Sequence, residues 1–127
     1  MIRVGVFGGS GYAGGELLRY LLGHPEVDLR FVTSRSSAGQ PIAERLPNLA
    51  GWTPLPFIDP READVRSVEA VFMALEHNAS QDVVPALLEA NPALKIVDLA
   101  GDFRTPDPAG YQRFYGRTHG AVELLPR

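Results

Sequence analysis

Seven residues near the start of the chain, Gly8-Gly9-Ser10-Gly11-Tyr12-Ala13-Gly14, constrain the fold more than any other stretch. They follow a short apolar, β-rich run, Ile2 to Phe7, and precede Leu17, Leu18, Leu21 and Leu22, whose spacing is the buried stripe of a helix that Gly23 and Pro25 stop. The glycines read as G-x-G-x-x-G at 9, 11 and 14 or as G-x-x-G-x-x-G at 8, 11 and 14, with the same chemistry. Small residues turn the chain sharply, bring backbone N–H groups against a pyrophosphate and let the helix pack closely on the strand. Such a pattern alone also fits a merely structural turn. Its place between a strand and a helix is what points to a dinucleotide. Gly8, Ser10, Gly11, Tyr12 and Ala13 are then the candidate contacts, at a helix N-terminus whose partial positive charge favours phosphate.

The alternation continues along the chain. Leu29 to Thr33 reads as a second strand, and Ser34 to about Pro56, rich in Ser, Gly and Pro, reads mostly as loop, long enough to be either functional or poorly ordered. Phe57-Ile58 is a short edge strand, and Ala70 to Leu75 is the continuous apolar run of a parallel central strand. A helix starts near Ser80, capped by Asn78 or Ser80, with Val83, Val84, Leu87 and Leu88 as its buried stripe and Asn91-Pro92 at its end. Pro85 falls inside it and removes one backbone donor. Ile96 to Leu99 is a further strand. Strands separated by helices predict an α/β domain of Rossmann type: a doubly wound, mostly parallel sheet with helices on both faces.

Composition narrows the function. At 127 residues and 45% apolar content the chain is one domain with a real core, and no apolar run approaches the roughly 18 residues of a membrane span. The first apolar run is too short for a signal-peptide core, so a cytoplasmic location is expected. A net charge of −3 argues against nonspecific nucleic-acid binding. The absence of cysteine excludes disulfides, thiolate metal sites and a thiol nucleophile within these residues. The three histidines, at 24, 77 and 119, have no metal-ligand spacing, so no metal site is expected.

The end of the second strand bears on which dinucleotide binds. An NAD site places a carboxylate there to hold the ribose hydroxyls, where it would repel a 2′-phosphate. Here the residues are Thr33-Ser34-Arg35-Ser36-Ser37; Asp28 precedes the predicted strand and belongs at the opposite edge of the sheet. A guanidinium flanked by hydroxyls suits a phosphate, which favours NADP, with Ser34, Arg35 and Ser37 as candidate contacts. The alternative for Arg35 is a solvated surface arginine.

With these segments in hand, the chain resembles the N-terminal domain of the N-acetyl-γ-glutamyl-phosphate reductase family, relatives of aspartate-semialdehyde dehydrogenase. The matching segments are Gly8 to Glu16, His24-Pro25, Ser34 to Gly39, Pro47-Asn48-Leu49, Ala70 to Ser80, Val97 to Arg104 and Tyr111 to Leu125. The most specific is D-x-x-x-D-F-R followed by Y-x-x-F-Y-G-x-x-H. The resemblance implies NADPH-dependent reduction of an acyl phosphate to a semialdehyde with release of phosphate, in arginine biosynthesis, by an enzyme that is a homo-oligomer at full length. It also implies that residues 1–127 are the NAD(P)-binding domain, that the family's nucleophilic cysteine and its acid/base histidine lie beyond them, and that this chain alone is inactive. The alternatives are a lysine-pathway aminoadipyl-phosphate reductase homologue and a stand-alone NADPH-binding module. Glu76 and Asn78 stand where the family commonly has proline and glycine, Ala100 where it often has serine, and Val122 where it has proline.

Leu75 and His77, at the end of the fourth strand, are further candidate cofactor contacts. Arg104 follows a strand's carboxyl end, where ligands collect in such sheets, and is the candidate substrate contact; an ion pair with Asp98 or Asp102 is its structural alternative. Asp98 and Asp102 more readily shape a loop than act as a catalytic carboxylate pair. Tyr111, Phe114 and Tyr115 read as packing residues rather than a stacking platform for nucleic acid. His119 reads as structural and His24 as a surface residue at the helix stop.

Overall fold

The computed structural model describes residues 1–75 and 80–99. Five strands, β1 (Ile2–Phe7), β2 (Val27–Thr33), β3 (Phe57–Ile58), β4 (Ala70–Met73) and β5 (Lys95–Asp98), form one sheet in the order β3-β2-β1-β4-β5, and every neighbouring pair is parallel. Two long helices, α1 (Tyr12–Leu22) and α3 (Ser80–Ala90), flank a four-residue helix, α2 (Ile42–Arg45), in chain order. The chain winds outward from β1 in one direction and from β4 in the other, so the two central strands meet at a topological switch point. Ligands of open α/β sheets settle there, outside the carboxyl ends of the strands.

The strand residues alternate between two cores. Val4, Val6 and Val32 face Leu18 and Leu21 of α1, whereas Phe7, Val71 and Met73 face Val84 of α3, with Leu87 and Leu88 packed against them. That division is the doubly wound arrangement expected from the sequence. Pro85 lies within α3, and the helix ends at Ala90. The next residue, Asn91, donates from its side-chain amide to the Val65 carbonyl at 3.0 Å.

Two expectations need correction. β2 starts at Val27 rather than Leu29, so Asp28 lies inside the strand; it still sits at the amino end, level with Arg3 and ion-paired to Arg30 at 3.0 Å, away from the glycine turn. β4 ends at Met73 rather than Leu75, and β5 is displaced by one residue from Ile96–Leu99. Ser34 to Pro56 is mostly loop, as expected, with two short helical pieces. These are α2 and a 3₁₀ turn at Pro47–Leu49, and Ile42 (0% exposed) and Leu49 (2%) join the α1-side core.

A steric lock holds β1 and β2 in place. The register slips by one residue, Val4 facing Leu29 while Gly5 faces Phe31, so Arg30 is the extra residue of a bulge. The slip sends Leu29 to the α1-side core and Phe31 to the other. The Phe31 ring lies over Gly5, where a Cβ would come within 2.2 Å of it, and meets Phe7 edge-on at a centroid distance of 5.5 Å. Burying such a ring contributes about 1.5–3 kcal/mol, and the edge-to-face pair about 0.5–1.5 kcal/mol more.

Candidate functional site

The switch point is lined by the turn after β1 and by the end of β4. Gly8 has φ +84°, a conformation that costs an L side chain but not glycine, and a Cβ there would lie 2.8 Å from the Ala74 carbonyl oxygen and from Leu75 Cδ2. Gly14 packs on the same turn, and a Cβ on it would stand 2.6 Å from the Gly8 carbonyl oxygen and 2.8 Å from the Gly9 Cα. Both readings of the glycine pattern are therefore partly right, because Gly8 makes the turn, Gly9 sits tightly under Val32, and Gly14 allows the close approach of α1 to the strand.

The donors of the turn divide into two sets. The Gly8 and Gly9 N–H groups donate to the Thr33 carbonyl at 3.2 and 3.0 Å, and the Gly8 N–H also reaches the Thr33 hydroxyl at 3.2 Å. They hold the turn to β2. The first turn of α1 is arranged differently: Gly11 is its N-cap, no side chain caps it, and no acidic residue lies in it. Its N–H groups, those of Tyr12 and Ala13 included, therefore have no side-chain acceptor at the cap. The space next to Gly11 is open, with nothing within 4 Å of where a Cβ would stand. An uncapped helix N-terminus, free of acidic residues and approached through a bare glycine, fits a pyrophosphate.

The neighbouring glycine is not under the same constraint. A Cβ on Gly15 would meet only Leu46, at 3.5 Å, an ordinary contact. Gly15→Ala is expected to stabilise the fold by about 0.5–1 kcal/mol through helix propensity, seen as a rise in the thermal midpoint by circular dichroism. A fall would show that the site needs a glycine there.

The loop after β2 is tied to the turn by hydroxyls. Ser10 and Ser34 share a hydrogen bond at 2.9 Å, and the Ser37 N–H donates to Ser34 Oγ at 3.1 Å. Ser34 and Ser37 are buried, and Arg35 is exposed between them. The loop is pinned to the edge strand by the Ser34 N–H on the Ile58 carbonyl and the Gly39 N–H on the Phe57 carbonyl, at 2.9 and 2.8 Å. Asp59, which follows β3, is the nearby carboxylate. It accepts from the Arg61 Nε at 3.0 Å and from the Arg61 backbone N–H at 2.9 Å. The Arg61 guanidinium, then its backbone N–H, holds the Asp59 carboxyl below its ordinary range, with a smaller contribution from the charge of Arg35. Asp59 is thus occupied by Arg61, while no ion pair engages Arg35 among the described residues.

Leu75, two residues past the end of β4, is half-buried against Gly8 at the switch point. His24 is exposed at the end of α1, where its Nδ1 accepts from the Glu26 N–H at 3.1 Å. His77, Arg104, Asp102, His119 and the aromatic stretch from Tyr111 lie outside the described residues, as do Glu76, Asn78, Ala100 and Val122. Sequence reasoning missed Arg45 and Asn48. With Ser10 and Gly11 they line a cavity of about 470 Å³ beside the turn.

Residues 3–122 match the family described as Semialdehyde dehydrogenase, NAD binding domain. The chain belongs to this family. Among its curated relatives, an N-acetyl-gamma-glutamyl-phosphate reductase of Nitrosococcus oceani is 43% identical over 126 residues, covering 98% of this chain and 36% of the relative. One from Acidithiobacillus ferrooxidans is 45% identical over 125 residues, with the same coverage. The chain thus spans little more than a third of the length of these curated relatives. In fold it is similar to aspartate semialdehyde dehydrogenase with NADP from Candida albicans, with a TM-score of 0.68 at 19% identity, covering 94% of this chain and 41% of that one. It is likewise similar to aspartate semialdehyde dehydrogenase II of Vibrio cholerae, with a TM-score of 0.67 at 21% identity over 92% of this chain and 36% of that one. Among the described residues, no helix is long and apolar enough to cross a membrane.

Proposed function

We propose that residues 1–127 act as the NADP-binding unit of an N-acetyl-gamma-glutamyl-phosphate reductase, which reduces an acyl phosphate to a semialdehyde and releases phosphate. The observation that carries the cofactor choice is the hydroxyl link from Ser10 to Ser34. It joins the uncapped turn of α1 to a loop that presents Arg35, while the nearby carboxylate, Asp59, is engaged by Arg61. An NAD site places a carboxylate at the end of β2, where this chain has Ser34 and Arg35.

The bound cofactor supplies the hydride. This chain's own residues bind and orient it. The N–H groups at Gly11, Tyr12 and Ala13 receive the pyrophosphate, Ser34, Arg35 and Ser37 receive the 2′-phosphate, and Leu75 and His77 are further cofactor contacts. Arg104 receives the substrate phosphate, for which a guanidinium is suited. With no cysteine, these residues supply no thiol nucleophile.

A fluorescence titration of the 127-residue chain with NADPH and NADH tests the cofactor choice. NADPH is expected to bind at least about tenfold tighter, the scale of one or two charge-assisted hydrogen bonds. Equal affinities, a preference for NADH or binding of neither would overturn it.

A further inference from the structure

The segment from Ile42 to Leu49 stands beside the glycine turn as a rigid platform. Ile42 and Leu49 are buried in the α1-side core, the Ile42 N–H donates to the Leu55 carbonyl at 3.1 Å, and Pro41 bridges to Pro56. Between this platform and α1 lies the cavity of about 470 Å³, lined by Ser10, Gly11 and Gly15 from the turn and α1, and by Arg45, Leu46 and Asn48 from the platform. Ser10 belongs to both sites: it lines the cavity, and its hydroxyl is bonded to Ser34, one residue before Arg35.

Arg3, Arg19, Arg30 and Arg61 stand in ion pairs. Arg45 is exposed and, like Arg35, Arg66 and Lys95, stands in no ion pair among the described residues, and of these four it is the one that lines the cavity. Glu16 also lines the cavity, but its carboxylate is bonded to Arg19 at 3.1 Å. The cavity is therefore bordered by an uncompensated cation, an amide side chain, a hydroxyl and the amino end of a helix, together with the one carboxylate of Glu16, whose charge Arg19 offsets. That donor set suits a phosphate monoester, whose three terminal oxygens accept more hydrogen bonds than one exposed arginine supplies.

We propose that this cavity receives the phosphorylated adenosine end of the cofactor, and that Arg45, assisted by Asn48, is a second specificity-determining cation beside Arg35. The inference rests on the NADP reading of the site. Because Arg45 projects from a platform already held by the core, binding orders only its side chain and not a loop.

Isothermal titration of the 127-residue chain and its Arg45→Ala variant with NADPH, NADH, adenosine 2′,5′-bisphosphate and 5′-AMP separates the possible results. Arg45→Ala is expected to weaken NADPH and the bisphosphate by about tenfold and to leave NADH and 5′-AMP within about twofold. If the unsubstituted chain does not prefer NADPH to NADH, the NADP reading falls first. If it does, and Arg45→Ala changes NADPH by less than twofold or weakens all four ligands alike, the inference is overturned and the reading stands. Arg45→Gln keeps the stem and removes the charge, so it separates the same outcomes should the alanine variant fold poorly.

Discussion

Gly14→Ala is expected to destabilise the chain by about 2 kcal/mol and to lower its thermal midpoint by about 8 °C. The added methyl meets backbone, not a side chain that can swing aside: the Gly8 carbonyl oxygen at 2.6 Å, the Gly9 Cα at 2.8 Å and the Gly9 carbonyl carbon at 2.9 Å. Relief requires α1 to move away from β1. That motion carries the helix amino end out of line with the turn, so NADPH affinity should fall by about tenfold or more in the same variant. Circular dichroism melts and a fluorescence titration read the two effects. An unchanged midpoint would mean that the turn relaxes freely. The contrast with Gly15→Ala, one residue on and expected to stabilise, makes the pair a test of packing rather than of glycine content.

Arg35→Asp is expected to weaken NADPH by about 100-fold and NADH by less than about threefold at low salt. The substitution removes a donor for the 2′-phosphate and places a second carboxylate near Asp59, whose own charge Arg61 already compensates. Because position 35 is exposed, the difference should shrink as salt rises from about 0.02 to 0.15 M. Equal losses for both nucleotides would remove Arg35 from phosphate recognition and leave the Ser10–Ser34 link as a structural tie only.

The parts of the fold legible in the sequence are those set by local period. Ile2–Phe7, the leucine stripe of α1, the two-residue strand Phe57–Ile58 and the Val84 stripe of α3 are where apolar spacing puts them. The glycine turn is legible too, because its physical demands fall within seven consecutive residues. What stays hidden depends on distant partners. Gly5 gives no sign that the Phe31 ring will cover it, and Arg30 gives no sign of the bulge. The platform around α2 reads as loop in the sequence because its helical pieces are only four and three residues long and Pro47 interrupts the Ile42, Leu46, Leu49 spacing; only the surface of α1 shows why Ile42 and Leu49 are buried. Arg45 is hidden for the same reason. Its proximity to Ser10 is a property of the packed platform and not of sequence distance.

Thr33 has a consequence for any attempt to exchange cofactors. Its carbonyl and hydroxyl take up the Gly8 and Gly9 N–H groups, and one residue later Ser34 takes up Ser10, so the turn and the β2 terminus are stitched together by four hydrogen bonds. A loop grafted from an NAD-dependent relative should therefore be joined downstream of Ser34. A junction placed any earlier would unpick the stitching and damage the binding site common to both nucleotides before it altered the choice between them.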